Sequence, residues 1–497
     1  MKKVYLYSFV ILAIISSSCE DFLDLEPPTA VTPEAFLTTE QGINEATIGI
    51  YNHFRGLYSG QQWVFGEFRS DNTSFQFNAQ DRGGAGLEAL DEFIANSSSG
   101  NIANYWNTSY QGVFRTTNIL ESIDQVEFTD EASKMSLAAE ARFFRAFYYF
   151  NLVRLYGDVP LVDATIDGVD ETEIFAAIDR SPVADIYNQI IIPDLIFAKA
   201  NLPAPGDEAV GRASEGAARM LLADVYMTIP NYEMAVLELD TIVNDLNYEL
   251  LPDYEQAFNP DFKNNSESMF ELQYAFSARQ PANFYANWVP FNSGTDITPN
   301  PAGSRAGRNQ PTADLVDAYE DGDLRRDISI TYYNVNDTDS VVFINKYNYP
   351  FPGPGGQDIN FPVYRYAEAL LFYSEALNET SPLSDGAVLF VNRVRNRAGL
   401  PPLVRGQDFN TQEDLRELIW NERRIELAFE SKRWFDLLRS DNIVPNRALT
   451  TMQAHGQNQA NEKTTLNPGA YDNIRILLAI PAIEASLYGY EQNPGWD

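Results

Sequence analysis

The stretch SLAAEARFFRAFYYFNLVRLYGDVP, residues 136–160, narrows most sharply what this chain can fold into. Leu137, Ala141, Phe144, Tyr148, Leu152 and Leu155 recur at three- and four-residue intervals, the period of one face of an α-helix. The remaining positions are nearly as apolar, so the helix is hydrophobic almost all round and must be buried. Gly157 and Pro160 stop it. A helix of this kind needs partners on every side, and the surrounding sequence supplies more helices.

RASEGAARMLLADVYMTIPNYEMAVLELDTIVND, residues 212–245, reads as two helices. Ser214 caps the first, whose small-residue face carries Ala217, Leu221, Ala223 and Val225. Pro230-Asn231 breaks the chain before a second helix from Met234 to Val243. A unit of about 34 residues is the size of a tetratricopeptide helical hairpin. A second unit, residues 364–402, places Tyr366 to Leu377 in one helix and Asp385 to Arg397 in the next, ended by Gly399 and Pro401. Helical pairs are also expected over 104–156 and 181–229. One hairpin cannot bury its own face, so the pairs must stack. The predicted fold is mainly α, a helical-repeat core with long irregular loops and a few short strands. The loops fall at 57–103, 250–310 and 328–361, too long for simple connectors and of the kind that carries binding on a rigid scaffold.

The single cysteine of the 497 residues is Cys19. Lys2 and Lys3 precede twelve mostly apolar residues, Val4 to Ile15. That run is shorter than the roughly 20 residues a membrane span needs, but it suits the apolar region of an export signal. Ser16-Ser17-Ser18 then lead into Cys19, the arrangement of a bacterial lipoprotein, in which the thiol is acylated and becomes the mature N-terminus. Two or more acyl chains hold a protein stably in a membrane, at about 0.8 kcal/mol per buried methylene. Residues 1–18 are thus expected to be a signal peptide, and 19–497 one helical domain in two closely fused parts, about 19–300 and 301–497. The alternative is an ordinary secretory signal with an incidental cysteine. Without a second cysteine the mature chain has no internal disulfide.

A formal charge of −35 argues against nucleic acid and anionic lipid surfaces as partners. His53 and His455 lie far apart and match no metal-ligand spacing, and no glycine-rich phosphate loop is present. No cofactor or metal is expected.

The most charge-dense motif is WNERRIELAFESKRWFDLLRS, residues 420–440. On one continuous helix Glu422, Glu426 and Glu430 stack four apart beside Arg423, Arg424 and Arg433. Paired carboxylates can hydrolyse glycosides, but Ile425, Phe429, Trp434 and Leu438 mark packing faces, so a structural ion network is expected.

Sugar recognition combines flat aromatic faces with planar polar groups that bond adjacent hydroxyls. Residues 60–84 hold both. Trp63, Phe65, Phe75 and Phe77 supply rings, and Glu67, Arg69, Asp71, Asn72 and Asn78 supply polar partners. WVFGEFRS reads equally as a short strand with a buried aromatic face. Residues 280–294 form a second candidate, with Phe284, Tyr285 and Trp288 in a segment without periodicity. A third, 346–360, contains Lys346 and Tyr347, expected to be structural. The ligand residues expected are Trp63, Arg69, Asp71, Asn72, Phe75, Tyr285 and Trp288.

Five motifs occur in order: CEDFLDLEPP, AEARFFRAFYYFNLVRLYGDVPLV, the pair YRYAEALLFYSEALNE with VNRVRNRAGLP, NERRIELAFESKRWFDLLR, and LLAIPAIEASLYGYEQNPGW. Together they resemble the SusD/RagB-like outer-membrane lipoproteins of polysaccharide utilisation systems. The resemblance implies about four tetratricopeptide-like helix pairs and a loop-built ligand surface. It also implies a surface-exposed protein, anchored in the outer membrane through acylated Cys19, that captures oligosaccharide without catalysis. Its implied partner is a SusC-like TonB-dependent β-barrel transporter. Glu20 and Asp21 are similar to the signals that send such lipoproteins to the cell surface. The alternatives are an outer-membrane glycoside hydrolase, which would use a pair such as Glu67 and Asp71, and a peptide-binding or scaffold lipoprotein.

Overall fold

A computed structural model describes residues 36–79, 82–163, 179–298, 306–353, 356–463 and 465–496. Cys19 and the lipoprotein motif lie outside the described residues. The long helices are α1 (Glu40–Leu57), α2 (Gly100–Ser122), α3 (Glu131–Tyr156), α4 (Ile192–Asn201), α5 (Glu215–Thr228) and α6 (Tyr232–Asn244). They continue as α7 (Tyr366–Thr380), α8 (Asp385–Arg397), α9 (Gln412–Glu426), α10 (Arg433–Ser440) and α11 (Arg447–Glu462). No helix among the described residues is long and apolar enough to cross a membrane.

Local chemistry sets the helix starts. Asp130 accepts from the backbone N–H groups of Ala132 and Ser133, Ser214 from Ala217 and Ser384 from Ala387. Thr411 and Asp414 cap α9 reciprocally. Each such cap satisfies N–H groups that have no partner within the helix. The expected all-round burial of α3 is observed: every residue from Phe143 to Val153 is buried. Its chain reverses at Gly157, which sits at φ +72°.

The helices pack in series, α2 on α3, α3 on α4, α4 on α5, α5 on α6, α6 on α7, and α7 on α8 and α9. Helix α1 lies across α2 and α3. This is the expected repeat stack, with α5 shared between successive pairs. Helices α2 and α3 approach closely at Gly112 of α2, where an added Cβ would lie 2.2 Å from Cζ of Tyr148 on α3.

Among the described residues four two-stranded antiparallel sheets brace the loops, two of them with five-residue strands. Strand β1 (Ser268–Leu272) pairs with β4 (Phe361–Arg365), and β2 (Ile330–Asn334) with β3 (Ser340–Ile344). Residues Tyr58–Gln62 and Val64–Phe68, read from sequence as loop or strand, are instead π-helical. Every residue from 62 to 75 is buried, so the apparent alternation in WVFGEFRS does not divide an inner face from an outer one. Gly66 is required there, because a Cβ would meet the Ser431 carbonyl oxygen at 2.3 Å.

The charge-dense motif is a structural ion network, as expected, but not on one helix. Helix α9 ends at Glu426, and Phe429 and Ser431 adopt left-handed backbone, φ +69° and +64°, before α10 begins. The break turns Glu430 inward. Arg365 reaches Glu267 at 2.8 Å, Glu430 at 2.8 Å and Glu426. Arg325 pairs with Asp323, Glu422 and Glu426 at 2.6–3.0 Å. Arg397 pairs with Glu426 and Glu267, and Lys346 with Glu430 at 2.9 Å. The neighbouring arginines serve other acids: Arg423 holds Glu368 and Asp436, and Arg424 holds Asp71 and Asp314.

Burial pushes the Glu426 carboxyl up, but Arg397, Arg365 and Arg325 more than reverse this and hold it well below the ordinary 4.5. Glu430 is lowered by Arg365 and Lys346 in the same way. Because the folded values are depressed, this stabilisation is complete above the unfolded value and is lost as pH falls through the folded values.

Two outcomes are expected. Gly112→Ala forces the α2–α3 interface apart and lowers unfolding free energy by about 1–3 kcal/mol, measured by urea titration. Glu426→Gln removes a charge shared by three buried guanidinium groups, each of which keeps another carboxylate, and costs about 3–5 kcal/mol; it also flattens the loss of stability below about pH 4.5.

Candidate functional site

Residues 60–79 and 82–84 meet residues 280–298 and 306–311, distant in sequence, in space. Thr73 pairs with Pro311 and Ser74 with Gln310. The Gln76 N–H donates to the Gly307 carbonyl at 2.6 Å, and its side-chain oxygen accepts from the Phe291 N–H at 3.1 Å. Below this junction the rings of Trp63 and Trp288 meet edge to face, with centroids 5.9 Å apart.

The seven residues expected to touch ligand form the floor of this junction, and none is more than 4 % exposed. Trp288 packs among Trp63, Phe284 and Tyr347. The Tyr285 hydroxyl donates to the Ile344 carbonyl at 2.9 Å. The Arg69 guanidinium lies between the Phe93 and Trp434 rings, 4.5 Å from each centroid, and donates to the carbonyls of Arg475 and Ile476. Asp71 takes a forked pair from Arg433 at 2.7 and 2.8 Å and a further contact from Arg424. Asn72 donates to Glu67 at 2.9 Å and accepts from Arg424 at 2.8 Å. Phe75 lies under the Lys463 ammonium at 4.2 Å. These side chains present no open face to a ligand. The chemistry that suits them to sugars, flat rings and forked hydrogen bonding, is spent on one another. The same holds for a Glu67–Asp71 acid pair. Lys346 and Tyr347 are buried, as expected.

What remains accessible is the tier above. Phe77 is half-buried beneath the Arg82 guanidinium, 4.5 Å from the ring centroid. Glu88 holds Arg82 by a forked pair. The Gln76 amide reaches the Asn292 side chain at 3.4 Å. Gly307, at φ +59°, lets the two strands close, because a Cβ would meet Gln76 Oε1 at 2.7 Å. Phe77 and Asn78 were legible as a ring and an amide in a loop; Arg82 and Asn292 carry no local signal.

Two buried acids support this tier. Glu67 accepts from Asn72 and from the Phe429 N–H at 3.0 Å, and burial pushes its carboxyl up to about 7. Asp91, which accepts from Ser74 Oγ at 2.7 Å, is also pushed up to about 7 by burial.

A helical stack whose loops gather into one aromatic and polar rim defines a repeat-scaffold binding protein. The SusD family model matches residues 333–496, and a second model, described as starch-binding associating with outer membrane, matches residues 21–227. A SusD-like protein of Formosa agariphila is 29% identical over 476 residues, 88% of this chain and 91% of its own. One from Bacteroides ovatus is 27% identical, covering 88% and 82%. The chain belongs to the SusD/RagB-like family. Solved structures share the fold. A SusD-like protein of Bacteroides fragilis superposes with TM-score 0.71 at 25% identity, over 93% of this chain and 98% of that one. A laminarin-binding SusD-like protein superposes with TM-score 0.74 at 24% identity, over 92% and 100%.

Since the folded Glu67 value lies above the unfolded 4.5, its contribution is fully present below that value and is lost as pH rises toward 7. Glu67→Gln is therefore expected to reduce the fall in unfolding free energy between pH 4.5 and 7, measured by urea titration at intervals across that range.

Proposed function

We propose that this protein captures oligosaccharide at the rim built by residues 76–79, 82, 291–298 and 306–308 and delivers it, uncleaved, to a SusC-like TonB-dependent barrel. Acylation of Cys19 tethers it to the outer surface of the outer membrane. The observation that carries the reading is the convergence of the two loops on one rim, where a fixed ring, a forked guanidinium and paired amides lie side by side. The matching family model is described as starch-binding, and the laminarin-binding structure has the same fold. Hydroxyl contacts at such a surface exchange only for those of water, which suits reversible capture and hand-over. The engagement of Glu67 and Asp71 with structural partners favours binding over hydrolysis.

Affinity electrophoresis in gels containing starch or laminarin tests the reading. The wild-type protein is expected to be retarded by one of them without releasing reducing sugar. Phe77→Ala with Asn292→Ala is expected to weaken retention roughly tenfold while leaving the melting temperature unchanged. Retention unaffected by the double substitution would move the site elsewhere.

A further inference from the structure

At the opposite side of α2 from its packing face lies a groove of about 850 Å³, within the range of about 300–1,000 Å³ typical of small-molecule sites. Its floor is one stripe of α2. Asn107, Gln111, Phe114 and Asn118 follow at intervals of four, three and four residues, so they share a helix face. Phe114 is 51% exposed, in the middle of amides. A lone exposed ring would carry no meaning, but Phe114 lies with Tyr110, Tyr488 and Tyr490 along one groove, and contiguous exposed apolar surface of this kind marks binding sites.

The walls supply further rings. Tyr110 is fixed at both ends, its hydroxyl donating to the Pro160 carbonyl at 2.8 Å and its ring against Trp106 with centroids 5.0 Å apart. Opposite, Tyr488 and Tyr490 form a tilted pair with centroids 5.5 Å apart. From α1, Ala46 and Gly49 keep the groove open, and a Cβ on Gly49 would meet nothing within 4 Å. The charged lining residues are Glu45, Glu484 and Arg115.

We infer that this groove is a second saccharide-binding site, separate from the loop rim, that takes a short neutral oligosaccharide. Rings held at several heights suit the C–H faces of successive sugar units. The amides between them offer donor and acceptor together, which is what vicinal hydroxyls need. Two carboxylates against one guanidinium disfavour an anionic chain. Phe114, Tyr110 and the amides sit on α2, whose other face is packed into the core, so little side-chain ordering is needed there on binding. The inference does not rest on the rim reading, since the two sites share no residue.

Titration calorimetry of the full chain with maltoheptaose and with laminarihexaose tests it, alongside Phe114→Ala/Tyr488→Ala and the rim variant Phe77→Ala/Asn292→Ala. The groove variant is expected to lose at least tenfold in affinity for one of the sugars, or one of two binding events, and the rim variant to retain that event. Trp106 emission is expected to respond to the sugar in the wild type and in the rim variant alone. Equal binding by wild type and groove variant, or no groove-dependent binding of either sugar, overturns the inference. So does binding that appears only after residues 20–35 are removed, which would make the groove a seat for the chain's own leader. Loss in the rim variant alone would support the rim and reject the groove. Equal melting temperatures of the three proteins confirm that folding is not the cause.

Discussion

The structure depends on a cluster of buried charge. Arg365, Arg325 and Arg397 converge on Glu426, and Glu267, Glu422, Glu430 and Lys346 complete the set. Each of these charges would be costly to bury alone, because an ion loses its hydration on leaving water. They are tolerated because the lattice is almost closed, each group meeting opposite charge or a carbonyl. Closing it requires residues from β4, α8, α9, the residue just before β1 and the segments around 325, 346 and 430 to arrive together. That requirement registers the end of the helical stack against the loops.

Arginines neighbouring this cluster fasten the floor of the loop rim. Arg424 and Arg433, flanking the break between α9 and α10, reach across to Asp71, and the Phe429 N–H donates to Glu67. Residues 67–72 are thereby fastened to the far end of the chain. On this floor the pairing of residues 73–74 with 310–311 sets the rim, and the rings of Trp63 and Trp288 fill the space beneath. A surface that binds sugars without reorganising gains from such support, since ordering costs reduce affinity.

Much of the fold was legible because its signals are local. The period of α3, the Ser214 cap and the Pro230 break each act over a few residues, and their elements stand as read. The break in the expected helix through Glu430 was not legible. Nothing between Ala428 and Lys432 forbids a helix, and the left-handed turns at Phe429 and Ser431 bring Glu430 to partners distant in sequence, Lys346 and Arg365. The burial of the expected site residues was not legible for a related reason. Trp288 and Asp71 have the chemistry of ligand contacts, but whether a ring or carboxylate meets a sugar or another side chain depends on what lies above it. The groove on α2 left one local trace, Phe114 within a face of amides, and its other wall comes from the last residues of the chain.

By itself the sequence determined the helical-repeat architecture, the order of its hairpins and the expectation that long loops carry binding, because hydrophobic period, caps and breakers act within a few residues. It also determined that the carboxylate-rich late segment would be structural, since acids, arginines and packing residues alternate there. Only the tertiary structure decided which charge meets which, where α9 ends, and which aromatic rings face solvent. Those outcomes depend on desolvation, and desolvation is fixed by neighbours that the chain brings together from hundreds of residues away.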